Sequence, residues 1–513
     1  MSDTNNESPQ HTRQLALVKA MLDPAFYPHE TEAEIGHVQT HLSHVLLTGP
    51  YAYKINKAID LGFVDYSTLE KRGHSCSEEV RLNQLYAPDL YLDVVSIYQS
   101  DKGFSLVSDA STLVEYAVKM REFRQEDLLV HALEDNELSA QDVEFMARQL
   151  GRFHAEAKAD AEISAYGSPE CVASVAVDTL EVLRSQEGDL FTEEDYACLY
   201  RFTQEALGSL RGLLLDRVKN GRIRECHGDL HLNNICRYRG KIEFFDRIVF
   251  NEAFKNIDVM YDLAFLYMDF EYRRRPDLAN RFLNVYLEQS NDFHGVPLLR
   301  FYACCRALIR AEVLAIEARE EEVPEAERPG IEREAQAHFM LGLRYAKAAS
   351  PARVTIMCGL SGSGKSTVAR ELAARSAGIY IRSDAVRKHL ADSNEGLYTE
   401  AMNEKTYGFV IQQGVQLAVE GYPVFLDATF STRAFRQRAL GACREHGLEF
   451  RIVYCAADHE TLEHRLQTRT EDISDADTEV LRVQFEAFES LDEDESGIVV
   501  DTRHPIDYER LIG

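Results

Sequence analysis

The sequence predicts an α+β domain followed by an α/β domain that is built on a mostly parallel sheet. With 513 residues, the chain is too long for one ordinary domain and long enough for two or three hydrophobic cores. Apolar and polar residues alternate in strand fashion over much of residues 37–118, and helical periodicity takes over from about residue 142. After residue 352, apolar strands alternate with helices, which is typical of a parallel sheet covered by helices.

The domain boundary is expected between residues 349 and 352, where Ser350-Pro351 separates helical sequence from a new apolar strand. The first domain is therefore predicted over residues 15–349 and the second over residues 352–513. Residues 1–14 are polar and are predicted to form a disordered tail.

The composition excludes several classes of function. The net charge of −29 at pH 7 repels polyanions, so nucleic acid and anionic membranes are not expected partners. No apolar run reaches the roughly 20 residues that span a bilayer, and residues 1–14 lack the apolar core of a secretory signal. The ten cysteines show no paired spacing of a metal site, which favours reduced thiols. We therefore expect a cytoplasmic protein, and the sequence does not indicate its oligomeric state.

The most specific motif follows the first apolar strand of the second domain. It reads GLSGSGKST and matches the P-loop pattern G-x-x-x-x-G-K-[ST] in full. Glycines let backbone N–H groups turn toward phosphate oxygens, the lysine brings positive charge to them, and the following hydroxyl can ligate Mg²⁺. The motif therefore predicts ATP, or else another nucleotide, as a cofactor bound with Mg²⁺. The residues expected to hold the nucleotide are Gly359, Ser361, Gly362, Ser363, Gly364, Lys365, Ser366 and Thr367, with Ser366 also on the metal.

Charged residues close to the strand ends of this domain indicate phosphate transfer. Asp384 follows the second strand, where a carboxylate can accept a proton from a substrate hydroxyl; capping the next helix is the alternative. Arg387, three residues later, can hold a charged group of that substrate. Asp427 ends the third strand, a usual place for an acid that organises Mg²⁺. Arg465 and Arg469 share one helix face and are predicted to close as a lid over the transferring phosphate, with solvated surface arginines as the alternative.

The first domain carries a pattern of its own, H-x-D-x-x-x-x-N, in the run CHGDLHLNNI. Asp229 is predicted to orient or deprotonate a substrate hydroxyl, and Asn234 to bind Mg²⁺. Twelve residues after Asn234, the strand IEFFD presents Asp246, which offers a further oxygen ligand for the metal. These three residues predict a second ATP-dependent site on the same chain.

Residues 352–513 resemble the small P-loop kinases that include zeta toxins, gluconate kinase and the 5′-hydroxyl polynucleotide kinases. The segments GLSGSGKST, RSDAVRKHL, FLDAT and HRLQTR carry the resemblance. It implies that Asp384 is the base toward the substrate hydroxyl. Acceptors in these families range over sugars, nucleotide sugars and nucleic acid ends, so the resemblance does not name the acceptor.

The runs HGDLHLNNI, FFD and IDVMYDLAFL resemble the aminoglycoside phosphotransferase family, a branch of the protein-kinase-like fold, over about residues 30–345. The resemblance implies a bilobal domain with a small lobe to about residue 114, a hinge at 114–120 whose backbone pairs with adenine, and a helical lobe to residue 349. It also implies that Asp258 and Asp262 are structural.

The same resemblance implies that Lys54 anchors the phosphates of ATP, with Lys57 as the alternative, and that Glu79, or else Glu78, is the acidic partner of this lysine. The small lobe has no G-x-G-x-x-G loop, so phosphate cover is expected from an atypical loop around residues 40–44.

We therefore predict a bifunctional ATP-dependent phosphotransferase whose partners are ATP and small molecules with an acceptor hydroxyl. In the alternative, only the P-loop domain is catalytic, on a small molecule or a nucleic acid 5′-hydroxyl, and the first domain is a regulatory module that binds a nucleotide or another ligand. A mechanical ATPase is a further hypothesis, for which we find no arginine finger or sensor element in the sequence. A possible nucleic acid surface is formed by five arginines, Arg382, Arg387, Arg433, Arg436 and Arg438.

Overall fold

The computed structural model describes residues 9–40, 42–60, 64–108, 111–185, 192–320, 323–348, 353–391, 399–468 and 478–512. Contacts divide the chain into two compact units. The first comprises Met1–Ser139, Glu156–Ser168 and Leu215–Asp262, and the second comprises Ala140–Ala155, Pro169–Leu214 and Leu263–Gly513. The boundary predicted at residues 349–352 lies outside the described residues, and the helices before it share a unit with the segment after it.

The N-terminal part of the first unit contains α1 (Pro9–Met21), β1 (Gly36–Gln39), β2 (Ser43–Leu47), β3 (Tyr51–Asn56), α2 (Leu69–Asn83), β4 (Tyr91–Ser100), β5 (Gly103–Ser105) and β6 (Thr112–Arg121). The strands form one antiparallel sheet in the order β1-β2-β3-β6-β4-β5. Alternating residues of β3, such as Tyr53 and Ile55, are buried against α1 residues Leu17 and Met21. The strands predicted from alternation between residues 44 and 118 are confirmed.

Two predicted segments of this unit have a different structure. Residues 9–14, which we placed in a disordered tail, belong to α1, because Gln14 is buried and its side chain bonds Glu115 and the backbone of Asn56 and Ala58. Residues 114–120, which we expected to be a hinge, lie within β6, and the backbone there pairs with β3 and β4. Those backbone groups are therefore used by the sheet, and the first residues beyond the strand are 122–124.

The chain continues through α3 (Leu129–Glu134), α4 (Ala140–Glu156), α5 (Ala161–Ala165), α6 (Pro169–Ser185), α7 (Glu193–Ser209), α8 (Arg211–Lys219), β7 (Ile223–Glu225), β8 (Ile235–Tyr238), β9 (Lys241–Phe244), α9 (Glu252–Lys255), β10 (Asn256–Asp258), α10 (Val259–Tyr272), α11 (Pro276–Ser290), α12 (Val296–Glu317) and α13 (Arg328–Lys347). Strands β8 and β9 form an antiparallel hairpin, and β7 pairs with β10. Buried faces of α6, α7, α12 and α13 pack into one apolar core of the second unit.

The C-terminal segment contains β11 (Arg353–Cys358), α14 (Lys365–Ser376), β12 (Ile379–Arg382), α15 (Ser383–Leu390), α16 (Glu400–Val419), β13 (Pro423–Asp427), α17 (Arg433–Glu445), β14 (Glu449–Ala456), α18 (His459–Gln467), α19 (Thr478–Ala487), β15 (Ile498–Asp501) and α20 (Tyr508–Ile512). The five strands form a parallel sheet in the order β12-β13-β11-β14-β15. The predicted α/β class and parallel sheet are confirmed. Among the described residues, no helix combines the length and the apolarity needed to cross a bilayer.

Candidate functional site

The β8–β9 hairpin brings two of the predicted metal ligands to one end of the first site. Asn234 directly precedes β8, and Phe245 and Asp246 directly follow β9. The antiparallel register pairs Ile235 with Phe244, and the N–H of Phe245 donates to the carbonyl of Asn234 at 3.0 Å. The hairpin therefore holds Asn234 and Asp246 at the same end of a short two-stranded ladder.

Lys54 of β3 meets two carboxylates from distant parts of the chain. Its Nζ lies 2.9 Å from Asp246 Oδ1 and 2.9 Å from Glu79 Oε1 of α2. Burial alone would lower the pKa of Lys54, but the charges of Asp246 and Glu79 outweigh it and raise the pKa above its ordinary value. Burial raises the pKa of Glu79 against the opposing effect of Lys54. Lys57, the alternative lysine, lies beyond the end of β3.

Asp246 keeps a carboxylate that a ligand can reach. Its side chain is 50% exposed although Lys54 contacts one oxygen. Its φ of 59° is in the left-handed region, which a non-glycine residue adopts at some cost in energy, and the N–H of Asp246 donates to the Tyr91 hydroxyl at 3.2 Å. The strained backbone is thus held by Tyr91 of β4, a strand of the six-stranded sheet.

Asn234 also fixes the loop that carries Asp229. Its Nδ2 donates to the backbone carbonyl and to Oδ2 of Asp229, both at 2.9 Å. The Asp229 side chain is 34% exposed, and His231 Nε2 lies 3.4 Å from Oδ2. With its amide nitrogen directed at Asp229, Asn234 presents its amide oxygen as the atom that can bind a metal. A carboxylate and an amide oxygen are ligands that Mg²⁺ accepts, so Asp246 and Asn234 fit this ion.

A buried aspartate on α10 bonds the backbone of the loop that carries Asp229. Asp262 accepts hydrogen bonds from the N–H groups of His227 (3.2 Å) and Gly228 (2.8 Å). Gly228 has a φ of +87°, and a Cβ at this position would lie 2.7 Å from the backbone oxygen of Phe254. These contacts agree with the structural role predicted for Asp262. Asp258 also makes structural contacts, because it forms a buried ion pair with Arg217 at 2.6 Å.

The histidine of the motif is neutral and fixed in one tautomer. Its Nε2 lies 3.0 Å from the carbonyl of Phe245, which can only accept, so Nε2 carries the proton. Nδ1 then accepts from the N–H of Asp229 at 3.3 Å. Burial lowers the pKa of His227 to about 4, although Asp262 and Asp229 oppose the shift. A neutral His227 therefore links Phe245, the residue before Asp246, to Asp229 through one hydrogen bond on each ring nitrogen.

A buried carboxyl on the same hairpin gives a pH-dependent prediction. Burial, with help from Asp89, raises the pKa of Glu243 on β9 to about 7. Between roughly pH 4.3, where an exposed glutamate titrates, and pH 7, only the unfolded chain is ionised at this residue, so the free energy of unfolding falls as the pH rises. We expect Glu243→Gln to raise the melting temperature slightly at pH 5 and much more at pH 8, measured by thermal unfolding.

The exposed Glu137 offers a matched control. Glu137→Gln should shift melting by no more than about 1 °C at both values of pH, since surface changes rarely exceed about 0.5 kcal/mol. An effect of Glu243→Gln that is equal at pH 5 and pH 8 would show that this carboxyl titrates normally.

The predicted phosphate loop lies between the central strand β11 and α14. Gly359, Gly362 and Gly364 have positive φ values of 139°, 80° and 84°. At Gly359, an added Cβ would lie 2.4 Å from the carbonyl oxygen of Cys455. Glycine is therefore required there, and Ser363 between the turns is 1% exposed. Lys365, Ser366 and Thr367 form the first turn of α14, whose N-terminal N–H groups favour anions.

The loop lysine and the strand-end acid lie in one buried region. Lys365 Nζ donates to the carbonyl of Leu360 at 2.8 Å. Burial lowers the pKa of Lys365, and the charges of Asp427 and Asp384 oppose this. Asp427 ends β13 opposite Met357 of β11, so it reaches the same edge of the sheet as the loop. Asp427 and the hydroxyl of Ser366 are hard oxygen donors, which fits Mg²⁺.

The proposed base and substrate residues lie on α15. Asp384 is in the first turn of this helix and is partly buried, while the N-cap position belongs to Arg382. Arg387, one turn later, is 6% exposed and donates to Asn403 Oδ1 of α16. The helix thus presents a carboxylate and a guanidinium from consecutive turns.

Arg465 contacts the phosphate loop itself. From the last turn of α18, Nη1 donates to the carbonyl of Gly362 at 3.2 Å and to Thr502 Oγ1 at 2.9 Å. Thr502 Oγ1 in turn donates to the carbonyl of Ser363 at 2.9 Å. Arg465 therefore contacts the phosphate loop in this structure and is not a freely solvated side chain. Its lid role stays a prediction. Arg469 lies outside the described residues.

Three residues of this region were missed by sequence reasoning. The N–H of Ser361 donates to Gln484 Oε1 of α19 at 2.9 Å, Thr502 bridges to the loop, and the Tyr380 hydroxyl donates to Asp427 Oδ2 at 2.9 Å. None of them belongs to a spaced motif. Only the position of Tyr380 in a strand beside the strand of Asp427 offered a signal.

The arginines considered as a nucleic acid surface are engaged by other side chains. Arg433 pairs with Asp492 and with Asp494, and Arg436 pairs with Glu495 at 2.7 Å with both side chains buried. The remaining contacts join Arg438 to Glu404, Arg387 to Asn403, and Arg382 to Asp427 at 3.9 Å. These arginines therefore do not form a free basic patch.

A family model described as an AAA domain matches residues 354–491. An uncharacterized protein of Mycobacterium tuberculosis (strain ATCC 25618 / H37Rv) is 27% identical over 467 residues, covering 88% of this chain and 90% of that protein. A sugar kinase structure from Janibacter sp. HTCC2649 is 24% identical and covers 32% of this chain and 91% of its own, with a TM-score of 0.26. A choline/ethanolamine kinase family protein from Mesorhizobium loti is 13% identical and covers 65% of this chain and 99% of its own, with a TM-score of 0.36.

Proposed function

We propose that the chain is a bifunctional ATP-dependent phosphotransferase in which each of two sites moves the γ-phosphate of ATP to the hydroxyl of a small molecule. The observation that carries the proposal is the meeting of Lys54 with both Glu79 and Asp246 at 2.9 Å, close to a loop that presents Asp229. A cation for phosphates, an acid for the metal and a base for the hydroxyl are what phosphoryl transfer needs.

At the first site, Asp229 takes the proton of the acceptor hydroxyl while the oxygen of that hydroxyl bonds to the γ-phosphorus. The bond from that phosphorus to the oxygen it shares with the β-phosphate breaks, and ADP leaves with the electron pair. Lys54 neutralises the phosphates, while Asn234 and Asp246 would hold Mg²⁺. The ion, when bound, supplies positive charge to the phosphate oxygens.

At the second site, Asp384 takes the proton of the acceptor hydroxyl. The backbone N–H groups of the phosphate loop hold the phosphates together with Lys365. Ser366 and Asp427 would hold Mg²⁺, and Arg387 would bind a charged group of the acceptor. Arg465, which now bonds the loop carbonyl of Gly362, would stabilise loop geometry during transfer.

A small acceptor is favoured over a nucleic acid end. The arginines that could follow a nucleic acid backbone are paired with acids or with Asn403. The net charge of −29 also opposes a polyanion. Because Asp229 and Asp384 are each proposed to take the proton of a hydroxyl, both acceptors are proposed to be alcohols.

The proposal is tested by transfer of labelled γ-phosphate from ATP into a metabolite extract, with wild type, Asp229→Asn and Lys365→Met in parallel. We expect each variant to lose a different labelled product. If all labelling depends on Lys365 and none on Asp229, only the P-loop site is a transferase and the first site is regulatory. If neither variant loses a product while ATP is hydrolysed to phosphate, the chain is an ATPase rather than a transferase.

A further inference from the structure

Helix α11 covers the edge strand of the parallel sheet in the second unit. An edge strand has backbone groups that no neighbouring strand can pair. Asn280 and Asn284, one turn apart on α11, both donate Nδ2 to the carbonyl of Gly378, at 2.9 and 3.1 Å. The N–H of Tyr380 in β12 donates to Asn284 Oδ1 at 2.7 Å. These two asparagines, 3% and 4% exposed, therefore take the place of a sixth strand.

Tyr380 also contacts Asp427, the acid that is proposed to bind Mg²⁺. The Tyr380 hydroxyl donates to Asp427 Oδ2 at 2.9 Å, and both residues are 3% exposed. Strands β12 and β13 are adjacent, with Tyr380 opposite Phe425 and Arg382 opposite Asp427. Two consecutive hydrogen bonds thus join Asn284 to Asp427 through a single residue whose backbone and side chain are both held.

Such a hydrogen bond fixes a carboxylate. A phenol that donates to Oδ2 sets the rotation of the Asp427 carboxylate and leaves Oδ1 to act on a metal or its bound water. Removing a partner that orients a metal-binding group typically lowers metal affinity by about 10- to 100-fold. The phenol can do this only if the backbone of Tyr380 stays in register, and at the edge of the sheet its N–H is held by Asn284.

We propose that Asn284 is a positioning residue for the P-loop site. It acts on Asp427 through Tyr380, so α11 helps to orient the residue that would bind Mg²⁺. This inference rests on the proposed function of the P-loop site. It also means that a division of the chain at residues 349–352 would separate the nucleotide site from a helix that orients it.

The test measures binding of a fluorescent ATP analogue to the full chain with and without Mg²⁺, in a Lys54→Met background that removes the first site. We expect Tyr380→Phe to reduce the gain in affinity due to Mg²⁺ about tenfold. Asn284→Ala should reduce it at least about threefold, and the double variant should be no worse than Tyr380→Phe alone, because both changes act on the same carboxylate. Affinity without Mg²⁺ should stay within about twofold of the parent.

Asn280→Ala is the matched control. It removes the bond from Asn280 to Gly378 and the bond that Asn284 Nδ2 donates to Asn280 Oδ1 at 3.0 Å, and it leaves the contact of Asn284 with Tyr380. We expect it to lower the melting temperature as Asn284→Ala does and to keep the full Mg²⁺ gain. The inference is overturned if Asn284→Ala keeps that gain, or if its loss adds to that of Tyr380→Phe. Binding that survives Lys365→Met would instead refute the proposed P-loop site and the inference with it. Tyr380→Phe keeps every α11 contact, so it remains informative if Asn284→Ala unfolds.

Discussion

Replacing Asp384 with asparagine is expected to slow phosphate transfer at the P-loop site by about 10³-fold while leaving ATP affinity nearly unchanged, because a positioned base contributes about 10²- to 10⁴-fold to a rate. Asp384 lies in the first turn of α15, and its charge acts on buried Lys365. An asparagine keeps the size of the side chain and can still orient a hydroxyl, but it cannot take the proton. The loss should therefore fall on the rate of transfer rather than on binding.

The measurement is the rate at which the Lys365-dependent labelled product forms at saturating ATP, together with binding of a fluorescent ATP analogue. Asp507→Asn, an exposed change in the same C-terminal segment, should leave both within about twofold. If Asp384→Asn instead weakens ATP binding and transfers at a normal rate, Asp384 belongs to the nucleotide cradle and another group is the base.

Local sequence signals predicted the parts of the fold that depend on local chemistry. The P-loop lies between β11 and α14 as its motif requires, since glycines with positive φ can be recognised from type and spacing alone. Asp427 ends an apolar strand, as predicted. The pairing of Lys54 with Glu79 was expected only by resemblance, because the two residues lie on different elements and no local pattern joins them.

The features that the sequence did not predict depend on contacts between distant segments. In sequence, Gln14 looks like part of a polar tail. Its side chain is buried because it bonds Glu115, a residue far away in the chain, and this contact holds the N-terminal helix in place. Residues 114–120 look like a strand that could lead into a hinge, and pairing with β3 and β4 decides that they stay in the sheet. Asn284 is an ordinary helix residue in sequence, and its importance arises from the edge of β12 against which it packs.

Replacing Lys54 with methionine is expected to reduce the Asp229-dependent product by about 10²- to 10³-fold, the cost of removing one group that stabilises charge in a transition state. Methionine keeps the length of the side chain and removes its charge. Glu79 and Asp246 would then face each other's negative charge without the ammonium that now lies 2.9 Å from both. The loss should appear in transfer and in ATP affinity, and it should leave the Lys365-dependent product unchanged.

Lys57→Met provides the control that the chain itself offers, since Lys57 is the other lysine expected near β3 and lies just beyond its end. If Lys54 anchors the phosphates, Lys57→Met keeps the Asp229-dependent product within about twofold of wild type. A loss that follows Lys57 would assign the anchor to that lysine and reduce the contact of Lys54 with Asp246 to a structural ion pair. Thermal unfolding of both variants separates these outcomes from a general loss of fold, because a buried acid left without its cation can itself destabilise the unit.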